Sequence, residues 1–382
     1  MNESLPVYAN TLGAFQQFFQ NITEDEIINA NSMWLPAFPV DTIYSLLGET
    51  EKVLCSQGTL LEITGNCIVV GDIHGNIIDL GRILRFCQAN PYNRVLFLGD
   101  YVDRGEFSLE VVVLLFSLVC MYPDQYYMIR GNHEFPNVNN IYGFRDQIIS
   151  SFKSEKIWCA FNKVFEWLPL GCVINGHYLC VHGGLSPSFK KLSQLKEFER
   201  PIEKFDQSFI HGVLWADPTN QVTDYLESQR GSVHDFGPNS VLKFTKVNNL
   251  KGIIRAHQCV KEGVLNHFNS MVTTVFSSGD YADNVRNVCA VLIVTESGEK
   301  STKFFKQMES RPKKASFNYY HPFSFKNNLG TTHTIISKRN TDKFHKSKMA
   351  SRIIAKSIIG SPQITLPLYK QTNKLFMHST TV

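Results

Sequence analysis

Asp72 and His74, Asp100 with Asp103 and Arg104, Asn132 and His133, His182, and His257 each follow a short apolar run of the chain. Six of these side chains could bind metal: Asp72, His74, Asp100, Asn132, His182 and His257. They form a mixed oxygen and nitrogen donor set, which suits Mn, Fe or Zn better than Ca or Mg, and no thiolate is offered. A carboxylate can bridge two cations, and two cations ~3.5–4 Å apart can clamp a phosphate and hold a hydroxide for in-line attack. Taken alone, His257 would more readily be a core or surface histidine, and Asp103-Arg104 a surface ion pair. Five such groups, each at the end of an apolar run, point instead to one site, because unpaired buried charge is costly.

The elements that must position them can be read from the same stretch. Cys67 to Val70 is an apolar, branched run ending in Gly71-Asp72. Ile77, Leu80, Ile83, Leu84 and Cys87 then share one helical face. A second run, Arg94 to Leu98, ends in Gly99-Asp100, and a buried helix is expected around Val111 to Val119. A third run, Tyr126 to Ile129, stops just before Gly131-Asn132. This is β-α-β-α-β, which implies a largely parallel sheet. Tyr178 to Val181, Gly252 to Arg255, Met271 to Phe276 and Val288 to Val294 suggest a further sheet. The expected fold is a layered α/β domain with two central packed sheets flanked by helices. Sites in such folds gather at the carboxyl ends of strands, so residues as far apart as 72 and 257 can meet. Gly71, Gly75, Gly99, Gly105, Gly131, Gly183 and Gly184 are expected to allow positive φ and close backbone approach there.

The chain has 382 residues, 43 % of them hydrophobic, enough for one large domain or two small ones. With 19 % charged residues, wholesale disorder is excluded. The net charge of +4 hides an asymmetry. Residues 300–382 hold 16 Lys and Arg against Glu309 and Asp342, a net +14; residues 1–299 hold 22 bases against 32 acids, a net −10. The expected organisation is an N-terminal helical extension over 1–39, a catalytic domain over 40–299 and a solvated, partly disordered basic tail over 300–382. The nine cysteines are scattered with no C-x-x-C pair, as in a reducing compartment. Met1 to Asn10 shows no signal-peptide pattern, and Val111 to Met121 is too short to span a membrane. A soluble, intracellular protein is expected, cytoplasmic and, if Lys338-Arg339 to Lys348 serves in import, nuclear as well.

Gly71-Asp72-Ile73-His74-Gly75, Gly99-Asp100-Tyr101-Val102-Asp103-Arg104-Gly105 and Gly131-Asn132-His133-Glu134 resemble the three signature motifs of the phosphoprotein phosphatase family. The resemblance continues through Val181 to Pro187, Trp215 to Pro218, Arg230-Gly231 with Phe236-Gly237, Arg255 to Gln258 and Phe276-Ser277, covering roughly residues 40–297 in order. The first three motifs mark metallophosphoesterases at large, and the later ones the eukaryotic Ser/Thr branch. Ser56-Gln57, Ile141 to Phe144 and Arg255 to Gln258 look closest to protein phosphatase 1.

The resemblance implies hydrolysis of phosphoserine and phosphothreonine by a hydroxide bridging two metal ions, Mn or Fe/Zn. By it, Asp72, His74 and Asp100 hold one metal; Asp100 bridges to the second, which Asn132, His182 and His257 complete. His133 is the general acid, oriented and kept protonated by Asp103. Arg104 and Arg230 clamp the phosphate, Asn132 donates to it, and Tyr281 overhangs the site. Phosphoprotein substrates and regulatory subunits are the implied partners. No nucleic-acid-binding module accompanies the motifs. A phosphatase for small phosphates and a phosphoprotein-binding pseudophosphatase are the rival readings. Trp215 to Pro218 and the Arg230-Gly231 segment speak against the first, and the full set of ligands, acid and clamps against the second.

Some positions depart from the family pattern. Ser277-Ser278-Gly279-Asp280-Tyr281-Ala282 stands where Ser-x-Pro-Asn-Tyr-Cys is usual. Gly279 is expected to loosen a turn that proline would stiffen, and Ala282 removes a thiol used by covalent toxins. Phe135-Pro136, Thr219-Asn220 and Val288-Cys289-Ala290 alter the expected groove. In the tail, Ser316 follows Arg311-Pro312-Lys313-Lys314, a pattern suited to basophilic kinases, and the tail is a candidate cover for the acidic groove.

Overall fold

The computed structural model describes residues 5–22, 34–90, 93–204, 209–231, 233–281, 285–308 and 317–322. Fifteen strands occur among them. The first five are β1 (Trp34–Pro36), β2 (Leu60–Ile63), β3 (Cys67–Val70), β4 (Arg94–Phe97) and β5 (Tyr126–Met128). Then come β6 (Gly171–Ile174), β7 (Tyr178–Val181), β8 (Tyr225–Glu227), β9 (His234–Phe236) and β10 (Gly252–Arg255). The last are β11 (Val264–His267), β12 (Val272–Val275), β13 (Ala290–Val294), β14 (Lys300–Phe304) and β15 (Asn318–Tyr320).

They form a five-stranded sheet in the order β14-β13-β3-β4-β5 and a six-stranded sheet in the order β11-β12-β10-β7-β6-β2. β3, β4 and β5 run parallel, joined by the helices Ile77–Gln88 and Ser108–Met121. The second helix is buried on every face from Ser108 to Cys120, as its largely apolar sequence requires; the buried Ser117 and Glu110 are hydrogen-bonded to Thr11 and Tyr319. β10 lies parallel between β7 and β12.

The period of two along each strand divides the core. Cys67 and Val69 of one sheet join Leu61, Ile63, Cys172, Cys180 and Ile254 of the other in one buried cluster, so the sheets pack face to face. Ile68 and Val70 point the opposite way, into a cluster shared with the helices Ser108–Met121 and Val40–Ser56. Val173, Leu179, Val181, Ile253 and Val272 back the second sheet against the helices Phe209–Trp215 and Pro238–Asn248. This is the expected layered α/β arrangement with two packed sheets.

The chain ends depart from the reading above. The N-terminal extension contributes helices Val7–Ala14 and Gln16–Asn21, but also β1. The domain edge expected near 300 falls inside a strand pair: Lys300 to Phe304 align with Val294 to Ala290. Phe305 and Met308 are buried in the main core, and β15 pairs in parallel with β1, which buries Phe317 and Tyr319. β14 escaped notice because it is an edge strand, partly exposed along its length, so Lys-Ser-Thr-Lys-Phe needs no apolar run. Ala282, Ser316 and the clusters beyond Pro322 lie outside the described residues.

Phe305 is 1 % exposed and packs on Phe86 and under the Arg82 guanidinium. Phe305→Ala should therefore cost about 3–5 kcal/mol of unfolding free energy in a urea titration. A tail free of the domain from residue 300 would give no change.

Candidate metal centre

The two sheets meet where β3 and β12 end. Asp72 bridges to Phe276 in parallel, and a Cβ on Gly71 would lie 2.1 Å from the Val275 carbonyl oxygen. Glycine here is a demand of space. Of the seven glycines expected to allow positive φ and close backbone approach, only Gly75 and Gly99 have positive φ, while Gly105, Gly131, Gly183 and Gly184, like Gly71, leave no room for a Cβ. The functional candidates carry the strain instead: φ is +45° at His74, +54° at Asp100, +71° at Asp103, +64° at Arg104 and +66° at His257. Such conformations cost of order 1–3 kcal/mol each and persist only where the surroundings over-determine them.

Asp72, His74, Asp100, Asn132, His182 and His257 converge, and all are at most 9 % exposed. His74 Nε2 lies 3.7 Å from Asp72 Oδ2 and 3.4 Å from Asp100 Oδ2. His182 Nε2 lies 3.4 Å from Asp100 Oδ1 and 2.8 Å from Asn132 Oδ1. His257 N donates to Asp72 Oδ1 at 3.0 Å. Two groups with metal-ligand spacing emerge, His74-Asp100-His133 and Asp100-His182-His257, and they share Asp100. One oxygen of that carboxylate faces each group.

The donor chemistry fits cations. His74 Nδ1 lies 2.9 Å from the Val102 carbonyl and His182 Nδ1 2.9 Å from the Leu98 carbonyl. A carbonyl accepts only a proton donor, so each Nε2 is left as the atom facing the centre. His182 Nε2 and Asn132 Oδ1 would then aim two lone pairs at one another unless a proton or a cation lies between. Asp72 Oδ2 and His257 Nε2 are buried with no hydrogen-bond partner. Burial, with the charge of Asp100, raises Asp72 to about 7. Burial opposes charge on His182, but Asp100 outweighs it and raises the imidazole to about 9. The pocket thus binds protons where cations would compensate its charge.

His133 stands beside this centre. Its Nδ1 is 2.6 Å from Asp103 Oδ2, whose other oxygen accepts the Phe144 N–H. Burial pulls His133 down to about 4 despite Asp100, aided by Arg104 and Arg230, and pushes Asp103 well above the usual carboxylate range. Asp103 was expected to orient His133 and keep it protonated; the 2.6 Å contact joins the two, and burial opposes charge on each. Arg104 is exposed, its guanidinium 4.0 Å over the Tyr142 ring. Arg230 is also exposed and donates through Nε to Asp217 Oδ2 at 2.6 Å. The Tyr281 ring lies 5.1 Å from that of His74.

A family model for calcineurin-like phosphoesterases matches residues 66–261. The catalytic subunit of serine/threonine-protein phosphatase 4 from Kluyveromyces lactis is 35 % identical over 271 residues, covering 71 % of this chain and 88 % of that protein. The chain is a calcineurin-like phosphoesterase. Among solved structures, a protein serine/threonine phosphatase from Saccharomyces cerevisiae, described as similar to human phosphatase PP5, superimposes with a TM-score of 0.65. It is 31 % identical, with 71 % of this chain and 91 % of that chain covered. The nearness to protein phosphatase 1 expected from Ser56-Gln57, Ile141 to Phe144 and Arg255 to Gln258 is not borne out by these relatives.

Several residues that hold this phosphoesterase site together carried no role in the sequence reading. Glu134 accepts the backbone N–H groups of Asp100, Tyr101 and Gly131 at 2.8, 2.8 and 3.0 Å, joining two motif loops. Asp217 takes Arg230 on one oxygen and the fully buried Arg255 on the other at 2.7 Å. Arg255 also donates to the Gly183 and Ala216 carbonyls. Asp217 and Arg255 stand beside apolar neighbours in their motifs, the one signal available for them; Glu134 had none. Glu134→Gln turns an acceptor into a donor facing backbone N–H groups. It should cost about 1–3 kcal/mol of stability in chemical denaturation. Unchanged stability would show that the loops meet without it.

Proposed function

We propose that the chain is a serine/threonine protein phosphatase whose two buried groups, sharing Asp100, hold two metal ions. The observation that carries this is the pair of His/Asp groups with one common carboxylate. In this reading Asp72, His74 and Asp100 serve one ion, and Asp100, Asn132, His182 and His257 the other; His133, although within ligand spacing of His74 and Asp100, has its Nδ1 engaged by Asp103 and is kept for proton transfer. Nitrogen and oxygen donors favour Mn, or Fe and Zn. A cation pair there would polarise phosphoryl oxygens and acidify a water.

The chain's own groups do the rest. Arg104 and Arg230 stand exposed near His133, where planar guanidinium forks suit two phosphate oxygens. Asp217 keeps Arg230 aimed by holding its Nε, leaving the other guanidinium nitrogens for substrate. Tyr281 closes over His74. Asn132 has an amide N–H₂ to offer phosphate. A departing seryl or threonyl oxygen needs a proton, which His133 Nε2 can give. As long as the His133–Asp103 pair holds two protons, Nε2 keeps one, whichever side of the 2.6 Å bond holds the other.

The named relatives support protein substrates, and the word subunit in one of those names supports regulatory partners for this chain too. No helix among the described residues is long and apolar enough to cross a membrane. The nine unpaired cysteines support residence in the cytoplasm or nucleus.

Metal analysis paired with turnover tests the reading. The purified protein should carry two metal ions and dephosphorylate a phosphothreonine peptide faster than it cleaves a dinucleoside polyphosphate; the reverse preference would sink the protein-directed assignment. His133→Asn should cut turnover about 10²–10⁴-fold at unchanged metal content. Asp100→Asn should lose both ions, and a variant that retains two would rule out the shared carboxylate.

A further inference from the structure

Gly279 has a backbone N–H that proline would lack, and in this chain that N–H is used. It donates to Asp79 Oδ2 at 2.7 Å, with both residues buried. Asp79 lies in the first turn of the helix Ile77–Gln88, five residues after His74. Its carboxylate also takes Asn76 Nδ2 at 2.6 Å and Arg82 Nη1 at 3.0 Å. Arg82, 1 % exposed, passes on to the Lys306 carbonyl at 2.6 Å. One buried carboxylate thus ties the helix behind His74 to the loop 277–281, and its arginine ties both to the segment after β14.

The far side of that loop is fastened as well. Asn287 donates to the Ser278 carbonyl at 2.8 Å and accepts the Tyr281 N–H at 2.9 Å. Gln307 donates to Asp280 Oδ1 at 2.8 Å. A glycine would leave this stretch loose if backbone stiffness alone fixed it. A charge-assisted hydrogen bond in a buried setting is a stronger constraint than a neutral one. It holds the loop at the step before Asp280, which itself sits at a φ of +47°. Tyr281 follows directly and meets His74.

We propose that Asp79 is a positioning residue: through the Gly279 N–H it fixes the loop that sets Tyr281 over His74, and so sets how tightly a phosphorylated substrate is held. The substrate half rests on the phosphatase reading; the loop half does not.

Gly279→Pro removes the donor, and its ring also adds bulk beside Asp79 Oδ2 and Cys289; Gly279→Ala, which keeps the N–H, is the control for that bulk and should stay close to the parent. Hydrogen exchange followed by mass spectrometry should show segment 277–281 of Gly279→Pro exchanging about tenfold faster than in the parent, with helix 77–88 unchanged. KM for a phosphothreonine peptide should rise about 3- to 10-fold with kcat within twofold. Asp79→Ala, which removes the acceptor, should reproduce both effects, and within segment 277–281 the double variant should add little to Gly279→Pro, since the bond between the two is already gone. Parent-like exchange and KM in Gly279→Pro would overturn the proposal, as would additive effects in the double variant. A thermal melt of each variant separates local loosening from failure to fold: a protein melted throughout would exchange everywhere. A parent protein inactive on the phosphopeptide would sink the phosphatase reading, while the exchange measurement would still decide the loop.

Discussion

The buried carboxylate of Asp100 is the constraint around which the molecule is organised. It is 1 % exposed and shares its surroundings with a second acid, Asp72, and four imidazoles. Such a cluster is unfavourable in a low-dielectric interior unless its charge is answered. His182 and His133 hold Asp100 well below its ordinary range despite burial, while Asp72 is driven upward. The fold supplies the remaining terms by force of geometry. It turns five site residues left-handed, brings Gly71 against Val275, and uses Glu134 to gather the amides that precede the cluster. The site is thus a strained, charge-dense centre in a rigid two-sheet frame, a usual pattern for preorganised chemistry.

Buried arginines do much of the bracing. Arg255 spans Gly183, Ala216 and Asp217; Arg130 donates to the Glu134 and Ile202 carbonyls and stacks on Phe135; Arg82 joins Asp79 to Lys306. In each case the donors of one planar fork reach groups from separate segments at once. Lysine could not do this with one nitrogen.

The sequence showed much of this. Apolar runs ending in Asp, Asn or His marked the strands and the side chains that meet at their ends, because a buried strand and a polar turn have opposite compositions. The stretch from Val111 to Val119, apolar but for Ser117, read correctly as a buried helix. Properties that depend on the assembled interior were hidden. No pattern distinguishes Glu134 in its motif from a surface acid until its oxygens meet the amides. Backbone strain was assigned to glycines, yet it fell on His74, Asp100 and His257, because tertiary contacts rather than local preference set those dihedrals. β14 and β15 went unseen since an edge strand needs little apolar sequence. Gly279 looked like a weakness, for its partner lies 200 positions away.

The pairing of β1 with β15 has a consequence for how the protein comes into being. Trp34 aligns with Asn318 and Tyr320 donates to the Ala14 carbonyl, so nearly the earliest and latest described segments close on each other. Phe317 packs on Phe107, which leads into the helix Ser108–Met121 just after the Arg104 turn. A chain made from its N-terminus cannot cover that aromatic until translation has passed residue 317. A ribosome that stops short, or a protease that clips the chain there, releases a molecule with every motif present and its back still open.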